Sequence, residues 1–339
     1  MSQTNAPQTP ETGLGRISSP ATGGDLLSGQ PDPGPAVRSS GSMDHNRVNV
    51  EGALGPSPAR SKRSWSRLRQ FRRNRGGVAG FFVVVNFALV AILANEIVPF
   101  NPVEQNLSVA LQGPGESHWL GTDELGRDIL SRIIMGARVS LLMSVAAVIA
   151  ASALGTLVGS AAGYFGGGLD HVAMRCIDVL LALPGILLAI TIIAVLGVGL
   201  INVVVAIAIS GVPVFARLAR AVTLTVKENE YVQAARAMGA ADGRILARHV
   251  LPNIVPPLLV QCTLLMATAI LTASSLSFLG LGAQPPTPEW GAMLSSGRSY
   301  LTSSPHVGTF PGIALMLVVL GFNMLGDGLR DALDPRLKR

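Results

Sequence analysis

Charge is scarce in this sequence: 14% of its 339 residues are Asp, Glu, Lys or Arg, while 49% are hydrophobic. That balance excludes an ordinary soluble domain, in which about a quarter of residues are charged. Cysteine is scarcer still. Cys176 and Cys262 lie in or near apolar runs and form no metal-ligand spacing, so they read as packing residues. No Gly-x-x-x-x-Gly-Lys-Ser/Thr phosphate loop occurs, so ATP hydrolysis is not expected of this chain. His118 has no second histidine converging on it, and the neighbouring acids Asp123, Glu124 and Asp128 are sequential, so a metal or catalytic role is not favoured. Acidic residues are outnumbered by basic ones, for a net charge of +6, yet no nucleic-acid recognition motif accompanies the excess.

What the sequence does have is long apolar runs. About 20 apolar residues cross about 30 Å of hydrocarbon. Candidate spans lie at roughly 78–98, 138–163, 174–197, 200–217, 254–281 and 309–327, the fourth being the shortest. An all-α membrane protein of about six transmembrane helices is expected, because non-helical backbone in lipid would leave amides and carbonyls unpaired. Residues 1–77 form a polar tail with a basic juxtamembrane border, and their Pro, Gly and Ser content predicts disorder over 1–58. The first apolar run, starting near Gly80, is long enough to span rather than be cleaved. Residues 78–137 then comprise a first helix and an external segment, and 138–336 a core domain.

Basic residues set the expected orientation. Arg60, Lys62, Arg63, Arg67, Arg69, Arg72, Arg73 and Arg75 crowd before the first span. Positive loops stay cytoplasmic, so both termini and the stretch Arg217 to Arg248 are expected inside, with 99–137 and 282–308 outside. The same basic border should attract anionic membrane lipids.

The loop at 226–252 carries the most information. Glu230 to Met238 is made of good helix formers, and Gly239 supplies a C-terminal stop. Asp242 is placed to cap a second short helix, which Pro252 should end. Ala234, Ala235, Ala237, Ala240 and Ala241 would let another surface approach the backbone closely. The order Glu230, Tyr231, Gln233, Ala234, Ala235, Gly239, Asp242, Leu251, Pro252 resembles the cytoplasmic EAA loop of permease subunits in binding-protein-dependent ABC importers. Gln233 departs from the usual Glu of the triplet, so a salt bridge made there in relatives is not assumed.

Other segments resemble the dipeptide, oligopeptide and nickel permease subfamily. His118-Trp119-Leu120-Gly121-Thr122-Asp123-Glu124-Leu125-Gly126-Arg127-Asp128 is one, where Thr122 is placed to cap a following helix. Phe278-Leu279-Gly280-Leu281-Gly282 with Gln284 to Gly291 is another, and Asn323 to Arg336 is a third. Gly155, Gly159 and Gly163 recur every four residues and share one helix face, a packing seam. Arg175 and Asp178 stand one turn apart, where they can pair, below Pro184, which removes a backbone hydrogen bond. Asp178 and Pro184 are therefore candidates for a pathway or gate, alongside the reading of an ion pair that fixes a helix end. Ser274, Ser275 and Ser277 either line a pathway or bond back to their own helix. Many relatives carry a glutamate near 273, where this chain has Ala273, which puts an acidic group in that region in doubt.

The resemblance implies a type I ABC importer transmembrane domain in the plasma membrane, forming half of a translocation pathway for di- and oligopeptides, with nickel or another peptide-like solute as the alternative cargo. It implies a paralogous permease, two cytoplasmic ABC ATPases that bind ATP and Mg, and an extracytoplasmic substrate-binding protein. An ion-coupled secondary transporter fits less well, because the span centres hold almost no ionisable groups.

Overall fold

The structure is a computed structural model and describes Arg72 and residues 74–333. The expected disorder of the tail, the basic border apart from Arg72 and Arg75, and the charges beyond Leu333 lie outside the described residues. Ten helices are described: α1 Arg75–Ile92, α2 Ala94–Ile97, α3 Ile129–Phe165, α4 Gly167–Leu181, α5 Gly185–Leu196, α6 Leu200–Lys227, α7 Glu230–Ala237, α8 Asp242–Phe278, α9 Trp290–Gly297 and α10 His306–Leu333. Among the described residues there is no strand, only an isolated bridge between Thr122 and Asp128.

Five helices, α1, α3, α6, α8 and α10, are long and apolar enough to cross a membrane. The expected third span is not one straight helix. It is the pair α4 and α5, bent by 93°. Pro184, whose ring and missing N–H cannot continue α4, stands at the N-cap of α5. The pair nevertheless crosses. Gly155 faces Val212 and Phe215 and Gly163 faces Arg220 and Thr223, so α3 and α6 run parallel, and the chain between them must return to the opposite side. The expected shortest span is instead the 28-residue α6.

The seam is tight for a plain steric reason. A Cβ on Gly155 would meet the Val212 carbonyl at 2.6 Å, and one on Gly159 would run into the Ala216 carbonyl. Only residues without a side chain allow that approach. Gly80 plays the same part between α1 and α10, where a Cβ would lie 2.5 Å from Leu325 N. Asn74 caps α1 by accepting from Gly77 N at 2.9 Å, and it donates to Asp331 Oδ2 at 2.8 Å near the end of α10. The first helix therefore begins where the last one ends.

On the opposite side, residues 99–128 and 282–305 form a cap over the helix ends. The expected capping role of Thr122 is not seen. Its hydroxyl donates to the Val109 carbonyl and accepts from Gln112 N, and α3 is capped by Asp128, which accepts from Ser131 N at 2.7 Å and from Ser131 Oγ at 2.6 Å. Asp123 accepts from Arg127 Nε at 2.7 Å, with Arg132 Nε 3.4 Å away, and all three side chains are buried.

Candidate functional site

The segment between α6 and α8 is a helix, a turn and a second helix. α7 ends as its residues require: Gly239 takes φ +78°, its N–H donates to Arg236 O at 3.0 Å, and Ala240 N–H donates to Ala235 O at 3.1 Å. This is a Schellman stop, for which a left-handed residue after the helix is needed. No atom lies within 4 Å of a Cβ built on Gly239, so the requirement there is conformational and not one of space.

The second helix departs from expectation in two ways. Ala241 is the N-cap, and Asp242 is the first helical residue with no capping bond. Its carboxylate instead accepts from the Tyr164 hydroxyl at 2.6 Å. Nor does Pro252 end the helix. A π-helical turn at Leu246–Val250 leads into an α-helical run from Leu251, whose first turn contains Pro252. A proline is tolerated there because the first-turn N–H groups lack partners anyway. The short second helix is thus the leading end of α8, continuous with a span.

The loop sits on the bundle through a small apolar cluster of Tyr164, Ala219, Val226, Val232, Ile245, Val250 and Ile254. Val232 and Ala235 are the buried residues of α7. Ala235 is therefore turned towards the bundle, and Ala240 is half-buried against the same cluster, so neither belongs to an outward face. Glu230, Tyr231, Gln233, Ala234, Ala237, Met238, Ala241, Leu251 and Pro252 are exposed. Gln233 Nε2 donates to Glu228 O at 3.2 Å, and Asn253 Nδ2 donates to the Tyr231 hydroxyl at 3.3 Å.

Tyr164 is the residue that reading the sequence missed. It follows Gly163 at the end of α3, holds Asp242, and lies under the Arg236 guanidinium, 5.5 Å from its ring centroid. Lys227 Nζ donates to Gly163 O at 3.1 Å beside it. The glycine seam therefore runs into the socket of the loop.

The remaining candidates are dispersed. Asp178 does not pair with Arg175. It accepts from Arg217 of α6 at 2.7 Å, because tertiary packing brings a better-placed donor than the neighbouring turn. Ser275 is half-buried and donates back to Leu271 O at 2.8 Å. Ser274 and Ser277 are buried, so neither lines an open pathway in this structure. Ser277 Oγ accepts from Ala283 N at 3.3 Å. Ser274 Oγ donates to Glu289 Oε1 at 3.4 Å, as does Ser140 Oγ at 3.1 Å, while Glu289 Oε2 accepts from Ala292 N at 2.9 Å. Glu289 is wholly buried, so the absence of an acid at Ala273 does not leave this region without one. A carboxylate reaches it from the segment before α9.

Residues 155–339 match the family described as binding-protein-dependent transport system inner membrane component. The chain belongs to that family. Residues 64–114 of the permease also match the N-terminal TM domain of oligopeptide transport permease C. The dipeptide transport system permease protein DppC of Alkalihalophilus pseudofirmus is 49% identical over 271 residues, 80% of this chain and 89% of that protein. The glutathione transport system permease protein GsiD of Pectobacterium atrosepticum is likewise 49% identical over 271 residues, 80% of this chain and 90% of that protein. A chain of the inward-facing MetNI methionine ABC transporter superposes with a TM-score of 0.50 at 19% identity, covering 61% of this permease and 98% of that chain, a likeness of fold alone. The permease is thus a subunit of an ABC importer and has the fold expected of one. Membership of the family implies a second permease, an ATPase and a substrate-binding protein.

Proposed function

We propose that this permease forms half of the translocation pathway for di- or oligopeptides, and that residues 226–252 are the contact through which ATPase subunits drive it. The substrate reading rests on relatives whose names specify dipeptide and glutathione, both peptide cargo. One observation carries the coupling reading: α7 and its C-cap offer an outward face of small and flexible side chains, Ala234, Ala237 and Met238, while the inward face of α7 is keyed to the end of α3. A push on that face reaches α3 through Tyr164 and reaches α8 directly, because the second half of the loop is the start of that span. Packed helices then pass on a displacement as rigid bodies.

In this reading the loop face is cytoplasmic, both termini lie on that side, and two ATPases that bind ATP and Mg dock there. The cap of residues 99–128 and 282–305 faces the substrate-binding protein. The bent pair α4 and α5, with Val172, Val179, Leu187 and Val195 exposed, supplies the face towards the paralogous permease. Asp178 and Pro184, within that pair, and Ser275, on α8, remain the pathway candidates.

The test is purification of the tagged permease with its neighbouring subunits in mild detergent, followed by an ATPase assay. Co-elution of an ATPase and a second permease, with hydrolysis stimulated by a peptide-loaded binding protein, is the expected result. A complex stimulated by a nickel-loaded binding protein and not by peptides would replace the cargo assignment. A permease that elutes alone under conditions that preserve complexes would overturn the coupling assignment.

A further inference from the structure

Between α1 and α3 lies a groove of about 450 Å³, within the ~300–1,000 Å³ range of small-molecule sites. Its wall is made of Val84, Ala88, Ile92, Leu142, Val145 and Phe322, together with one charged side chain, Arg138. Arg138 is half-buried, and no carboxylate among the described residues lies within ion-pair distance of it. A cation in an apolar wall is costly unless something anionic answers it.

The position says what that partner is. α1 has 18 residues, a rise of about 27 Å, close to the ~30 Å of a hydrocarbon core. Ala91 and Ile92, its last residues, line the groove at the same end as Arg138, whereas Val84 and Val145 lie deeper. The guanidinium therefore stands at the level where hydrocarbon gives way to headgroups, at the top of an apolar channel that opens towards lipid. α1 is also the least buried of the spans. We propose that this groove is a binding site for a phospholipid, its phosphate held by the Arg138 guanidinium and one acyl chain laid along Val84, Ala88, Leu142 and Val145. A planar guanidinium donates two parallel N–H bonds to phosphate oxygens, a geometry that suits this ligand better than a single point charge would.

The experiment uses the assembled importer in a nonionic detergent, titrated with phosphatidylglycerol or with a diacylglycerol of the same chains and followed by native mass spectrometry. Phosphatidylglycerol should be retained and diacylglycerol should not. Arg138→Gln should retain about fivefold less phosphatidylglycerol, the equivalent of ~1 kcal/mol for one basic side chain at a headgroup. Arg138→Lys should keep most of the binding. Leu142→Trp, at an exposed position, should lose it with the charge intact, and this variant decides the matter if Arg138→Gln fails to assemble. Retention at the wild-type level by both Arg138→Gln and Leu142→Trp would overturn the site. So would crosslinking of residue 138 to an acidic side chain of the second permease with no lipid retained, which would make the groove a subunit contact.

Discussion

On the capped face, Asp123 receives hydrogen bonds from Leu125 N, Arg127 N and Arg127 Nε, Arg132 donates to the Pro102 carbonyl, and His118 lies 2.9 Å from Asp128. On the loop face, the helical turn 230–245 is tied to the bundle by the Tyr164 to Asp242 hydrogen bond and a small apolar cluster, with most of its surface exposed. Buried charges are costly to separate, because each would be left without water or a partner. An apolar cluster of small area has no directional requirement, and an exposed loop regains water when it tilts. The capped face is therefore built to hold its geometry, and the loop face is built to move as a unit while keeping its own hydrogen bonds.

The sharpest way to break this contrast is Arg127→Ala. It leaves Asp123 buried with one cation fewer, and removing one partner of a buried pair costs about 3–5 kcal/mol. A large fall in the Tm and yield of the purified complex is expected, and an unchanged Tm would show that the cap is not where rigidity resides. Gly239→Val comes next. Its left-handed φ costs an L-residue roughly 1–2 kcal/mol, and here the cost falls on the loop alone because no neighbouring atom is close. The complex should assemble while uptake falls to background. Gly239→Asn, which tolerates the same φ, should retain uptake. Uptake that persists with valine would sever the loop from the motor.

The same contrast explains what could be read in the sequence. The glycine seam showed itself because its members recur along one helix, and the Gly239 stop because it depends on residues within a few positions of each other. Pro252 misled because a proline usually punctuates a helix, and nothing local announces that the π-helical turn at Leu246–Val250 will carry the chain through into α8. Asp178 was assigned to the nearest arginine, whereas its partner, Arg217, is 39 residues away. Glu289 stood in a proline-rich stretch with no periodic signal, and Ser140, which holds it, lies 149 positions earlier. Local chemistry was legible and long-range pairing was not, so the apolar runs emerged while the 93° bend within the third and the acid near Ser274 did not.

A smaller effect tests the hinge between the two regions. Tyr164→Phe keeps the ring under Arg236 and removes the hydroxyl that donates to Asp242, a loss of about 1 kcal/mol. The Tm should barely change. Hydrogen exchange in residues 230–245 should become faster, and more ATP should be hydrolysed per solute moved, because the loop would swing with less pull on α3. An unchanged ratio would mean that the push travels through α8 alone.

Arg217→Ala should have the least effect on stability. Its side chain and that of Asp178 are 56% and 50% exposed, so solvent and salt screen the pair and it contributes little. No shift in Tm between low and physiological salt is expected. The pair does bridge α6 to α4 near the 93° bend, and that gives the variant its use. If Tm and uptake both stay constant, the bend is held by backbone chemistry at Pro184 and the ion pair is incidental. If uptake falls while Tm stays constant, the pair acts on the bend during transport, and a moving part exists outside the loop.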